Sequence, residues 1–276
     1  MPQPQTAPAW KPPAAPSTGS TAKCSAGTRI AANPHRVSRV RITVGRGPHP
    51  HHILVTMQEP HDRHVPSETP IPQRQIRALH TDSTVTVYQA YHPAIGVPAA
   101  RHGRFPAAWK RDRMTWIKPS FLWMMYRCGW AMKEGQETVL AVEISRDGFE
   151  WALRNACLSH YERGLHADQA DWKRQLREAP ARVQWDPERD LHLRPLPHRS
   201  LQLGLAGDAA RRYADEWTVS ITDVTPLAHR VHALVRDGDL DAAAALLPDE
   251  RPYPAGDELL AHLRGPHEVD GIGIGV

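Results

Sequence analysis

The chain has 276 residues, carries a formal charge of +4 at pH 7, and is 41% hydrophobic, enough apolar material for a substantial core. No apolar run approaches the roughly 20 residues that cross a bilayer, and no secretory pattern opens the chain, so the expected address is cytoplasmic. Cys24, Cys128 and Cys157 are too scattered for a disulfide framework or a zinc site, and a pI near 9.1 permits contact with nucleic acid or other polyanions without requiring it.

In chain order, residues 1–66 are expected to be disordered. Half of the 26 prolines lie at or before Pro72, mixed with Ser, Thr, Gln and His, a composition that buries too little surface to offset chain entropy. Met57 reads as a candidate translation start. The His49, His51, His52, His61 and His64 cluster has no ordered scaffold, so no metal site is expected. A globular α+β domain is predicted over 67–254, followed by a C-terminal helix and flexible tail over 255–276. Residues 84–90, β-branched and aromatic, predict a first strand, and residues 95–103 a short helix weakened by Pro98. Residues 113–118 read as a second strand. Pro119 and Ser120 then open a helix running to about Gly129 and Trp130, with Trp123, Arg127 and Trp130 on one face.

Residues 138–144 are nearly continuously apolar and predict a central strand. Asp147 and Glu150 predict a capping box for a helix whose stripe, Phe149, Leu153, Ala156, Cys157 and Tyr161, ends at Gly164. A polar helix is expected over 167–178. Residues 183–189 read as a strand end entering a proline turn, 199–205 as a further strand, 208–213 as a short helix and 217–221 as the last strand. Three helices follow, started by Thr225 and Pro226, by Asp239 and by Asp257. Gly271, Gly273 and Gly275 are no nucleotide fingerprint, because no strand precedes them. The whole predicts a single mixed or antiparallel sheet with flanking helices and a helical C-terminal group.

The densest stretch is 113–130, with three Trp, three Met and three cations. Arg113, Lys118 and Arg127 have the chemistry of an anion pocket, a planar fork or a point charge for phosphate, or of ion pairs with Asp186 and Glu188. The tryptophans suit core packing or base stacking. Residues 184–189 suit a catalytic loop or a structural corner. His92, His160 and His198 lack the spacing of a triad or a metal site.

Residues 113–130, with 87–91, 184–189 and 199–205, resemble the uncharacterised family catalogued as domain of unknown function forty-two ninety-one, over about 73–254. Cys128 stands where that family has a smaller residue such as Ser. In element order alone the chain also resembles the ADP-ribosyltransferase fold. That second resemblance implies an enzyme acting on NAD as cofactor, with an unknown acceptor, nucleic acid included. Under it the catalytic positions fall on Gln89, Ser120, Glu188 and Gln202, with Gln202 where a Glu belongs and Glu188 in a loop before it. The cofactor-binding positions fall on Tyr88, Arg113, Trp116, Lys118, Tyr126, Arg127, Gln184 and Arg199. The alternatives are a non-catalytic module binding nucleotide or RNA through the basic-aromatic pocket, and a protein-interaction domain.

Overall fold

The computed structural model describes residues 71–264, so the N-terminal segment 1–66, its histidines, Met57 and the glycine tail lie outside the described residues. The elements in order are β1 (Arg77–Ala78), β2 (Thr84–Tyr91), α1 (Pro93–His102), β3 (Thr115–Ile117), α2 (Phe121–Cys128), β4 (Thr138–Ser145) and α3 (Arg146–Arg154). Next come β5 (Ala156–Leu158), α4 (Gln169–Glu178), β6 (Ala181–Arg189), β7 (Pro195–Leu205), α5 (Asp208–Arg212) and a π-helical turn (Tyr213–Trp217). The chain closes with β8 (Thr218–Asp223), α6 (Thr225–Asp237), α7 (Leu240–Ala245), β9 (Arg251–Pro252) and α8 (Asp257–Arg264). The fold is α+β, as the interleaved strand and helix patterns predict.

The strands lie in three sheets rather than the expected one: β1-β9, β2-β4-β8 and β3-β7-β6-β5. β4 is central in its sheet, antiparallel to both neighbours, as its apolar run predicts. The two larger sheets meet where the Tyr88 amide donates to the Lys118 carbonyl at 2.7 Å. In the four-stranded sheet only β5 and β6 run parallel.

Several local expectations are corrected. Ser145, not Asp147, caps α3, its hydroxyl accepting from the Gly148 amide, and Glu150 instead bonds Arg146, Arg154 and Tyr253. The helix stops at Arg154, and Ala156–Leu158 is a strand, because three consecutive buried residues pair with β6 where a helical stripe would bury only one face. α2 ends at Gly129, in the left-handed region at φ 58°, so Trp130 leaves the Trp123 and Arg127 face and stacks on His232. The second strand is confined to Thr115–Ile117, with Arg113 in the preceding bend. Asp186, Pro187 and Glu188 belong to β6, whose register shifts between Pro187 and Arg189. Val224 rather than Thr225 is the cap residue of α6, and the Thr225 hydroxyl instead accepts from the Val139 amide.

Strand alternation decides which side chains are left for a site. On the four-stranded sheet Ile117, Val183, Trp185, Leu201, Leu203 and Leu205 enter the main core with Phe149, Leu153 and Tyr213. Their neighbours Trp116, Lys118, Gln184, Asp186, Gln202 and Gly204 therefore share the opposite face. β2 divides likewise: Val85 and Val87 enter the main core, while Tyr88 joins a second core with Phe121, Met125, Val139 and Val231.

Candidate functional site

A cleft of about 760 Å³ opens on that opposite face. Its floor is Trp116 and Lys118 beside Gln202 and Gln184, and its walls are the end of β2, the loop before β3 with Lys110 and Arg113, and α2 with Trp123 and Arg127. Gly204 lies directly opposite Trp116, and a Cβ there would sit 2.9 Å from the indole, so the ring lies close against the backbone of β7.

Lys118 is buried at 5% exposure, its Nζ 4.6 Å from the centre of the Trp123 ring. Burial and then the nearby Arg127 charge pull its pKa down to about 8, against the opposing pull of Asp186. Its ammonium has no hydrogen bond or ion pair among the described residues. Arg113 is exposed at the rim, and Arg127 donates to the side-chain carbonyl of Gln136. The ion pairs considered from sequence between these three cations and Asp186 or Glu188 are not formed. The Trp123 indole N–H is also buried without an acceptor among the described residues.

The amides are held firmly. Gln184 Nε2 donates to one oxygen of Asp186 at 2.8 Å, and Gln202 Nε2 donates to the other at 2.6 Å. Gln89, 4% exposed, donates to the Thr115 hydroxyl at 2.7 Å and the Trp116 carbonyl at 3.0 Å, and accepts from the Tyr213 hydroxyl at 2.7 Å. Beside it the Trp109 indole donates to the Tyr91 hydroxyl, and burial raises the pKa of that hydroxyl to about 12, so it stays neutral.

Of the residues singled out from sequence, Gln89, Arg113, Trp116, Lys118, Arg127, Gln184 and Gln202 come together around the cleft. The other five sit elsewhere. Tyr88 is in the second core, edge-on to Phe121. The Ser120 hydroxyl caps α2 by accepting from the Trp123 amide and donates to Glu188 at 2.8 Å. Glu188 thus stands in β6, paired with Ser120, and not in a loop. The exposed Tyr126 ring carries the Arg189 guanidinium at 3.6 Å, and Arg199 donates to the Trp185 carbonyl.

Asp186 was weighed from sequence only as an ion-pair partner and as part of the 184–189 loop, and its bonds to Gln184 and Gln202 were not foreseen. Its signal was the alternation Gln184, Trp185, Asp186, polar then apolar then polar, which Pro187 masked by suggesting a turn. The Trp109, Tyr91 and Tyr213 network had no sequence signal, since it joins three separated segments. Glu250 was also unforeseen: its carboxylate accepts from the Phe121 amide at 2.6 Å, and burial, with Glu188 nearby, pushes its pKa well up.

No group of three or more His, Cys, Asp or Glu able to hold a metal ion occurs among the described residues, and no helix there is long and apolar enough to cross a membrane. No curated protein matches the chain. The model of the family described as "Domain of unknown function (DUF4291)" matches residues 75–253, a span that includes the whole cleft, and the chain belongs to that family.

Proposed function

We propose that the chain binds a phosphate-bearing nucleotide in this cleft. The observation that carries the reading is Lys118, a buried ammonium at the cleft floor with no acidic partner in hydrogen-bonding reach. Holding an unpaired cation out of water costs several kcal/mol, and phosphate oxygens would offset that cost. Arg113, Lys110 and Arg127 add positive charge around it, and the Trp116 face offers a surface for a base. The volume lies within the range of small-molecule sites. Thermal shift with NAD, ADP-ribose, ATP and short RNA tests the reading, because a ligand at one hundred times its Kd adds about 2.7 kcal/mol. Binding is expected in the unmodified chain and lost in Lys118→Met. Equal shifts in both proteins would overturn it.

The second reading is ADP-ribosyltransferase-like turnover of NAD, favoured by the Asp186 carboxylate behind two of the lining amides. In that reaction the bond from ribose C1′ to nicotinamide breaks with its electron pair leaving on nicotinamide. The acceptor then bonds C1′ and releases a proton. Release of nicotinamide from bound NAD decides for the enzyme. Binding of nucleotide or RNA without release decides for the non-catalytic module.

A further inference from the structure

We infer that Asp186 is the positioning residue of a diol clamp that selects ribonucleotides over deoxyribonucleotides. The inference rests on the nucleotide reading of the cleft and names the part of the ligand that the neutral side of the floor would recognise. A carboxylate offers only acceptors, so the end of each glutamine that faces Asp186 has to be its NH₂ group. Two donors at 2.8 and 2.6 Å, one to each carboxylate oxygen, leave neither amide able to turn over without setting oxygen against oxygen. The Oε1 atoms of Gln184 and Gln202 are thereby directed away from Asp186, and neither accepts a hydrogen bond among the described residues.

Gln184 and Gln202 are direct partners across β6 and β7 and both line the cleft. Their Cβ atoms are therefore about 5 Å apart on one face, and the cleft presents two neighbouring carbonyl acceptors. An acceptor pair calls for a ligand with two neighbouring donors. Lys118, the residue that follows β3, which lies next to β7, narrows the choice. Adjacent strands lie about 4.8 Å apart, so a phosphate at Lys118 places the next few atoms of its ligand over β7 and β6. In a nucleotide those atoms are the ribose, whose 2′ and 3′ hydroxyls are two adjacent donors. A 2′-deoxyribose supplies one.

Titration calorimetry on the full chain with ATP, 2′-deoxy-ATP and 3′-deoxy-ATP tests this. Loss of either hydroxyl is expected to weaken binding about tenfold, the effect of one unmade hydrogen bond at a buried acceptor. In Asp186→Asn the amides are released to turn over, and the ratio of ribo to deoxy affinity should fall towards one while binding of 2′-deoxy-ATP persists, which also reports that the variant is folded. Gln184→Ala, at a half-buried position, should lower the ratio in the same way without disturbing Lys118. Equal affinity of the unmodified chain for the three nucleotides overturns the clamp and leaves the nucleotide site standing. Discrimination that survives in Asp186→Asn overturns the role of Asp186. No binding of any of the three overturns the nucleotide reading itself.

Discussion

Lys118 is the residue where energetics and site chemistry oppose each other most directly. Its proton leaves at about 8 in the folded chain against 10.5 for an ordinary lysine, so between those values the unfolded state holds more protons and stability rises with pH. Below about 8 both states are charged, and the whole penalty, roughly 3 kcal/mol, weighs on the folded state. An anion bound beside it reverses the preference. Nucleotide affinity should therefore hold below pH 8 and decline above it, read by calorimetry in buffers from pH 6.5 to 9.5. Lys118→Met should bind at least tenfold more weakly yet unfold at a urea concentration no lower than the unmodified chain at pH 7, the pattern of a group retained for binding rather than stability. Lys118 was legible in the sequence because a cation between Trp116 and Trp123 is conspicuous. Asp186 was legible only as a candidate ion-pair partner, because the two bonds it makes are to residues two and sixteen positions away.

At the scale of elements, α2 sets the wall of the cleft, and both of its ends were readable. Ser120 is the expected cap, and the helix stops at Gly129, where φ is 58°, within a residue of the expected end although Trp130 was placed on its face. What periodicity could not show is that the Ser120 hydroxyl also donates to Glu188 and so ties α2 to β6. Ser120→Ala should cost about 1–2 kcal/mol, one part for the lost cap and the rest for a Glu188 carboxylate that keeps only the Arg189 amide as donor, measured by urea denaturation. β7 makes the corresponding demand on the floor. In Gly204→Ala the new methyl group would sit 2.9 Å from the six-membered ring of the Trp116 indole, so the ring has to shift. The expected result is a shifted tryptophan emission and weaker nucleotide binding, with the clash at Trp116 partly offset by the better strand residue in β7, a net stability loss of about 1 kcal/mol. Unchanged binding would show that Trp116 plays no part in holding the base.

For the whole molecule, sequence patterns gave the α+β class and the central place of β4, because both follow from local apolar runs. They missed the division into three sheets, which depends on partners far apart: β1 pairs with β9, and Arg77 donates to the Glu250 carbonyl across 173 positions. They also misplaced β5, since residues 156–158 continue a helical stripe in sequence and become a strand only when β6 is beside them. The same long-range closure governs the C-terminal helix. Residues 75–253 match the family, yet Leu259, Leu260 and Leu263 of α8 lie in the main core, and the Trp185 indole donates to the Leu263 carbonyl at 3.1 Å. Each of these leucines contributes about 1.5–3 kcal/mol by burial, so α8 as a whole accounts for a large share of the roughly 5–15 kcal/mol that holds an ordinary domain folded. A chain ended after residue 254 should therefore unfold at much lower urea than the full chain, or lose its cooperative transition. Leu263→Ala, at a fully buried position, should cost about 2–5 kcal/mol, while Glu258→Ala on the exposed side of α8 should stay within about 0.5 kcal/mol of the parent. If the shortened chain melted like the full one, α8 would be resting on a core that is already closed, and the cleft floor built on β6 and β7 would owe nothing to it.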